Sequence, residues 1–292
     1  MIQKTPNFQQ QHPMQLKIKD FQIIKNADIK LDGLTVIAGE NDTGKTTIGK
    51  ILFSEVRNYI LKHKKMDNNI KFETENVITN FPIFIDNPTF LSQFNYLKNT
   101  MVLSQQYQLN FSLSNEIGDL ILRISQPKIT SNNQQYQQIK DIINGEVYYD
   151  SLEDNIFYKK NGLKEKLDMY QTSSGIKMFG FLQILILNGS LKKGSILILD
   201  EPEIHLHPKW QLEYAKVIIS LVTEGIKVLV NSHSPYMIEA LELYSKDINT
   251  NFYLANKLAE TSVIENVNNN LELIYKKLAE PISILEELED VE

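Results

Sequence analysis

The eight residues from Gly39 to Thr46 constrain this chain more than any other segment. Two glycines enclose four residues and are followed by lysine and threonine, which is the phosphate-binding Walker A pattern. An apolar run at 34–38 precedes the pattern, and apolar residues at helical spacing follow it. The sequence therefore predicts a strand, a loop whose backbone N–H groups bind phosphate, and a helix. The residues expected to contact the nucleotide are Gly39, Asn41, Asp42, Thr43, Gly44, Lys45, Thr46 and Thr47, with Lys45 at the outer phosphates and Thr46 at Mg²⁺.

Length and composition set broad limits on what is built around this loop. The 292 residues, 42% of them apolar, match about two average domains, although one large α/β domain can also be this long. No stretch of eighteen uncharged apolar residues occurs, residues 1–6 lack the apolar core of a secretory signal, and there is no cysteine. We therefore expect a cytoplasmic protein. A net charge of −6 argues against a uniformly basic nucleic-acid wrapper, but a local basic groove is compatible with it.

The segment before the loop reads as an edge sheet of two strands, at 14–19 and 23–31, because apolar and polar residues alternate there. Phe21 lies between them and is a candidate for stacking on adenine. A buried aromatic at a strand end is the more frequent explanation.

The middle of the chain differs in composition from its flanks. Residues 81–86 read as a strand, and Gln93, in the segment after it, is a candidate sensor of Mg²⁺ and the γ-phosphate, although Gln105, Gln106 and Gln108 compete for that role. Residues 93–166 are polar and rich in Asn and Gln, with 131–135 read as an exposed loop. Short strands are predicted at 146–150 and 155–160. We interpret 93–166 as an inserted lobe, either a docking surface for a partner or a solvated lid.

Two acidic residues end a second buried strand. Residues 196–199 are all Ile or Leu, as in a parallel strand covered on both faces, and Asp200 and Glu201 follow directly. This is a Walker B pattern at the sheet edge where α/β proteins bind nucleotides. Asp200 is expected to hold Mg²⁺, and Glu201 to polarise the attacking water.

Three histidines follow the acidic pair. His205 and His207 are two residues apart, but without cysteine or a third ligand nearby a metal site is a poor interpretation. His233 follows the strand predicted at 227–230, and a lone histidine at a strand end is more often structural. Since this strand should end at the same sheet edge as the loop and the acids, we favour a γ-phosphate contact for His233.

A further short motif precedes an apolar helical run at 176–187. Ser173, Ser174 and Gly175 form a common helix N-cap that can also capture an anion.

The order of these elements resembles the ATP-binding-cassette (ABC) ATPases, and among them the soluble SMC/RecF/OLD-like branch of DNA repair and bacterial anti-phage systems. The likeness rests on Gly39 to Thr46, on Ser173-Ser174-Gly175 as the signature motif, on Ile196 to Glu201, and on Ser232 to Pro235 as the switch-histidine segment. Residues 200–208, DEPEIHLHP, look especially like the soluble branch. Ser174 and Lys177 depart from the transporter signature, and the lobe is too short for a long coiled coil.

The resemblance implies a P-loop NTPase of ABC type: one domain over 1–292, with a mixed sheet flanked by helices, an antiparallel N-terminal edge sheet, the inserted lobe and a C-terminal helix at 268–289. It also implies ATP and Mg²⁺ as cofactors, and a homodimer that encloses two ATP molecules, in which Ser173, Ser174 and Gly175 complete the partner's site.

The function that we predict is an ATPase subunit that controls a partner effector, such as a nuclease, in a bacterial defence or DNA-transaction complex. No nuclease site is evident in this chain, nucleic acid is an open partner, and no membrane is expected. The alternatives are the nucleotide-binding subunit of an ABC transporter and a switch that binds ATP without turnover.

Overall fold

The computed structural model describes residues 14–63, 67–75, 77–109, 113–129 and 133–289. Residues 1–6, considered above for a secretory signal, lie outside this range, as do Ser131 and Asn132 of the predicted loop. The strands are β1 Met14–Phe21, β2 Ile24–Leu31, β3 Leu34–Gly39, β4 Ile70–Glu73, β5 Ile83–Ile85, β6 Gly145–Asp150, β7 Asn155–Lys160, β8 Leu167–Asp168, β9 Ile196–Asp200, β10 Lys227–Ser232, β11 Thr250–Leu258 and β12 Thr261–Asn266. The helices are α1 Lys45–Leu61, α2 Thr89–Gln106, α3 Asn115–Ile124, α4 Gln134–Ile143, α5 Ser174–Leu187, α6 Pro208–Thr223, α7 Pro235–Tyr244 and α8 Glu272–Glu289.

A nine-stranded mixed sheet forms the centre of the molecule, in the order β4-β1-β2-β12-β11-β3-β10-β9-β5. The strands β11, β3, β10, β9 and β5 run parallel to one another. β3, β9 and β5 are buried along their whole length, which explains their nearly continuous apolar sequences. Because these strands are parallel, the residues that follow them meet at one edge of the sheet.

The N-terminal strands extend this same sheet and do not form a separate one. β1 pairs antiparallel with β2, as the alternating sequence predicts, and also with β4, which was not predicted. The link to β3 is the hairpin of β11 and β12, since β12 pairs with β2 and β11 pairs with β3. Sequence analysis did not identify this hairpin, although the β-branched and aromatic residues at 250–264 are a strand signal.

Each face of the sheet carries its own core. One cluster joins β1, β2 and α1, with Ile48, Leu52 and Phe53 almost fully buried. The larger cluster joins α5, α6 and α7 to the segment between β5 and β9. α5 is buried on all sides from Met178 to Leu187, a stretch in which Gln183 is the one polar residue. No helix in the described part of the chain is both long and apolar enough to cross a membrane.

The segment predicted as an inserted lobe, 93–166, contains most of α2, all of α3 and α4, and the strands β6 and β7. β8 follows it directly and completes a three-stranded sheet. The predicted strands at 146–150 and 155–160 are confirmed, and β8 supplies the strand that pairs with β7. The loop prediction is wrong at Gln134 and Gln135, which begin α4; Gln135 is 4% exposed. The helix forms there because its Tyr136, Ile139 and Ile143 pack into the larger core.

The C-terminal helix begins four residues later than predicted. Asn268 belongs to the preceding turn, where its side-chain oxygen accepts the backbone N–H of Phe252 at 2.6 Å. Asn268 therefore stabilises the start of β11, and α8 begins at Glu272.

Candidate functional site

The Walker A loop connects β3 directly to α1. Gly44 is the N-cap of α1 and has a φ of 88°, a left-handed conformation that glycine adopts without strain. The Nζ of Lys45 donates to the carbonyl oxygens of Gly39 at 2.9 Å and Glu40 at 2.7 Å. The lysine thus lies folded over its own loop with its ammonium directed at the phosphate-binding turn.

The Walker B aspartate lies beside the first turn of α1. The hydroxyl of Thr46 donates to Oδ2 of Asp200 at 2.7 Å. The Nδ2 of Asn231 donates to Oδ1 of Asp200 at 2.7 Å and to the carbonyl of Lys45 at 2.8 Å. Asn231 is fully buried, so this one amide ties the ends of β9 and β10 to the loop.

The charged residues at this sheet edge are suited to binding an anion together with Mg²⁺. Burial lowers the pKa of Lys45, although the neighbouring carboxylates of Glu201 and Asp200 oppose that shift. Burial raises the pKa of Asp200 and of Asp86, and in each case a nearby carboxylate adds to the rise. A divalent cation would stabilise the two aspartates, and phosphate would stabilise the desolvated ammonium.

Glu201 follows β9 in a left-handed backbone conformation with a φ of 49°. Such a conformation is costly for glutamate and is held by the surroundings, here by the N–H of Glu201 donating to the carbonyl of Asn231 at 2.9 Å. Oε1 of Glu201 lies 3.8 Å from Nζ of Lys45 and 3.4 Å from Nδ1 of His233. The strained turn thus places one carboxylate between the loop lysine and the switch histidine.

These residues surround a cavity of about 330 Å³. It is lined by Ile23, Asn41, Asp42, Thr43, Gly44, Lys45, Thr46, Thr47, Asp86, Asp200, Glu201 and Ile204. A neighbouring cavity of about 270 Å³ is lined by Glu40, Asn41, His233, Lys277 and Leu278. The residues predicted from the Walker A, Walker B and switch segments therefore meet at one sheet edge, and α8 adjoins it.

Gln93 and Phe21 do not line the cavity. Gln93 lies in the second turn of α2, and its side chain is exposed. Asp86, the residue that directly follows β5, lines the cavity. Phe21 is half-buried against the core on the α1 face of the sheet, and Ile23 lines the cavity.

The Ser173-Ser174-Gly175 motif does not line the cavity of its own chain. Ser173 is the N-cap of α5, and its hydroxyl accepts the N–H of Ile176 at 3.4 Å. A Cβ on Gly175 would lie 2.6 Å from Cε3 of Trp210, so the glycine permits the contact between α5 and α6. The motif therefore has a structural role in the monomer whatever its role at a phosphate.

His205 and His207 lie in the turn between β9 and α6. His205 is exposed, and Nδ1 of His207 caps α6 by accepting the N–H of Lys209 at 3.3 Å. Within the described ranges, no three or more His, Cys, Asp or Glu side chains are grouped so as to hold a metal ion by themselves. The Thr46 and Asp200 pair fits Mg²⁺ that also takes oxygens from phosphate and water.

Three residues at the site were not predicted from the sequence as site residues: Asp86, Asn231 and Glu203. A signal was available for Asp86 and Asn231, since each follows an apolar run that reads as a strand. Glu203 lies in the turn after β9, within the string DEPEIHLHP that carried the resemblance, but the string indicated no role for this residue.

Comparison with known protein families agrees with this geometry. Residues 87–239, just over half of the chain, match the family model described as "AAA domain, putative AbiEii toxin, Type IV TA system". The chain belongs to this AAA-domain family. The matched range of the AAA domain holds Asp200, Glu201, Asn231 and His233, and the Walker A loop precedes it.

Other comparisons give a relative that matches part of the AAA domain and solved structures that share its fold. The AAA domain is 28% identical to the Septu protein PtuA of Bacillus thuringiensis over 124 residues, 38% of this chain and 28% of that protein, so the match spans little more than a quarter of the relative. An Smc head bound to the C-winged helix domain of ScpA shares its fold, with a TM-score of 0.54, 11% identity, and coverage of 90% of this chain and 99% of that one. An Smc head with an extended coiled coil, bound to the C-terminal domain of ScpA derived from Pyrococcus furiosus, gives a TM-score of 0.53, 12% identity, and coverage of 95% and 99%.

Proposed function

We propose that this AAA domain binds and hydrolyses ATP with Mg²⁺, and that ATP-dependent dimerisation controls a partner effector in a bacterial defence or DNA-transaction complex. The observation that carries the proposal is the meeting of Lys45, Thr46, Asp200 and Glu201 at one cavity, with His233 3.4 Å from Glu201.

Each side chain has a distinct task in this proposal. The N–H groups of the loop and the ammonium of Lys45 bind the phosphates. Thr46 and Asp200 hold Mg²⁺, which when bound polarises phosphate oxygens as a Lewis acid. Glu201 accepts a proton from the attacking water, and His233 contacts the terminal phosphate. Asn231 holds Asp200 next to the start of α1.

Three further observations support the dimer and the effector. Ser173 and Gly175 lie outside the cavity of their own chain, so a second subunit is needed if they are to contact a phosphate. The partial match to a Septu protein supports a defence role. The Smc heads with the same fold are described as bound to a domain of ScpA, which supports a protein partner for this chain as well.

Two substitutions test the chemistry. Lys45→Ala should abolish ATP binding, because Lys45 stabilises phosphate in both the ground and the transition state. Glu201→Gln should leave binding intact and lower turnover by about 10²- to 10⁴-fold, because only the proton acceptor is removed. Equilibrium binding of ATP and steady-state phosphate release measure the two effects.

Lys216→Ala is the matched control, since Lys216 is an exposed lysine on α6 that pairs with Glu213 on the same helix and lies over the ring of Tyr244. It should leave both measurements unchanged. Undiminished phosphate release in Glu201→Gln would remove Glu201 as the proton acceptor, and ATP binding without release in the wild type would favour a binding switch.

A further inference from the structure

Glu203 is a buried carboxylate to which the switch segment, Ser232 to Ser234, donates three hydrogen bonds. Its Oε1 accepts the hydroxyl of Ser232 at 2.7 Å, the N–H of His233 at 2.8 Å and the N–H of Ser234 at 3.1 Å. Glu203 is 5% exposed, and its other oxygen is buried with no hydrogen-bond partner in the described structure. One carboxylate oxygen thus binds three successive residues of the segment.

The segment is held from its other side by α6. The hydroxyl of Ser234 donates to Oε1 of Gln211 at 2.6 Å, and Nε2 of Gln211 donates to the carbonyl of Leu206 at 3.0 Å. Leu206 in turn donates its N–H to the carbonyl of Glu203 at 2.9 Å. The turn after β9 and the switch segment after β10 therefore form one closed hydrogen-bond network.

His233 depends on this network for its position. Its backbone N–H is bound by Glu203, while its Nδ1 lies 3.5 Å from Oε1 of Glu203 and 3.4 Å from Oε1 of Glu201. The side chain is 40% exposed, and its Nδ1 makes no hydrogen bond to the described residues. Because neighbouring side chains restrict the imidazole only in part, its position depends on the backbone of His233.

We propose that Glu203 is a positioning residue, which fixes the switch segment so that His233 faces Glu201 and the terminal phosphate. Burying a carboxylate costs stability unless it is well paired, and here one oxygen has three donors while the other has none. An apolar residue at this position would remove the oxygen that accepts all three donors. A carboxylate oxygen can bind several donors at one point. This proposal rests on the proposed ATP hydrolysis for its functional consequence.

Three variants test the proposal by steady-state ATP hydrolysis. Glu203→Ala should lower kcat by about 10- to 100-fold with KM changed less than about threefold, because the phosphate-binding loop is intact while His233 is misplaced. Glu203→Gln keeps the accepting oxygen and should restore kcat to within about threefold of the wild type. In a His233→Ala background, Glu203→Ala should have little further effect, because the two residues act as a unit.

Gln183→Ala is the matched control for a buried hydrogen-bonded side chain. Gln183 is fully buried, accepts the N–H of Val147 at 2.6 Å, and links α5 to β6. This variant should lose stability and keep kcat. Equal kcat in Glu203→Ala and wild type, or an equal loss of kcat in Gln183→Ala, would overturn the positioning role.

A second readout does not require turnover. The chain has five histidines, and the imidazole resonance missing from the NMR spectrum of His233→Ala identifies His233. That resonance should shift or broaden in Glu203→Ala and stay near its wild-type position in Glu203→Gln. An unchanged resonance in Glu203→Ala would refute the proposal, whereas absent ATP hydrolysis in the wild type would refute the proposed function alone.

Discussion

The ionised form of Asp200 is energetically unfavourable in the folded chain. Its carboxylate is buried and accepts hydrogen bonds from Thr46 and Asn231, yet burial still raises its pKa above the usual 3.8. The folded chain therefore retains the proton to higher pH than the unfolded chain does. The ionised aspartate needed for Mg²⁺ lowers the stability of the protein without ligand.

Asp200→Asn should raise the free energy of unfolding at neutral pH in the absence of nucleotide, because no buried charge remains. The amide oxygen can still accept from Thr46, while the amide nitrogen faces Nδ2 of Asn231 and offsets part of the gain. The gain should disappear as pH falls below 3.8, where the aspartate is neutral in both states. Denaturant unfolding at several pH values measures this.

The same substitution should remove the stabilisation that Mg²⁺ and ATP give to the wild type, because the proposed metal ligand is lost. A variant that is less stable than the wild type at pH 7 would show that the hydrogen bonds of Asp200 outweigh the cost of its buried charge.

At the scale of elements, the contact between α5 and α6 determines where the signature motif lies. Gly175 in the first turn of α5 faces the ring of Trp210 in α6, and Phe179 one turn later packs edge-on against Trp210 and Tyr214. The close approach requires a residue without a side chain at 175. Helix packing thus explains the glycine at this position without any contact to a phosphate.

Gly175→Ala should lower the free energy of unfolding by about 1–3 kcal/mol, because a Cβ 2.6 Å from Cε3 of Trp210 forces the two helices apart. The control is Gly118→Ala in α3, where a Cβ would meet no atom within 4 Å. The control should gain about 0.5–1 kcal/mol, since alanine is the better helix former. Thermal or denaturant unfolding without nucleotide compares the two, and equal stabilities of Gly175→Ala and wild type would contradict the packing argument.

At the scale of the whole molecule, the cavity and the signature motif are separate surfaces of one chain. Ser173 is exposed at the start of α5, while Lys45 is the buried first residue of α1. The proposed two-fold dimer would bring the motif of each chain to the cavity of the other and satisfy both sites at once. ATP would then stabilise the dimer, because its terminal phosphate would bind both subunits.

The Glu201→Gln protein should therefore dimerise at micromolar concentration with ATP and Mg²⁺, and less so with ADP. Adding Ser173→Arg should abolish dimerisation, because the side chain would fill the surface that faces the phosphate. Sedimentation velocity measures the change.

Ser114→Arg is the matched control, since Ser114 is an exposed serine that caps α3 just as Ser173 caps α5. It should leave the dimer intact. A monomer in the Glu201→Gln protein with ATP would mean that closure needs the partner, or that the chains do not share their sites.

Sequence alone determined the parts of this protein that rest on local patterns. The Walker A loop with its strand and helix, the alternation in β1 and β2, and the apolar runs of β9 and β10 each follow from the period and type of neighbouring residues. Parallel strands in one sheet then imply that Lys45, Asp200, Glu201 and His233 meet at one edge. The likeness to SMC- and ABC-like ATPases followed from the same motifs.

Only the tertiary structure decided which residues complete the site. Glu203 binds donors about thirty positions away, and Asn231 joins two strands to the loop, because the fold brings distant turns together. Asp86 lines the cavity, whereas Gln93 lies exposed on α2. Hydrogen-bond partners so far apart in sequence leave no periodic signal, because they depend on how strands of the sheet are ordered.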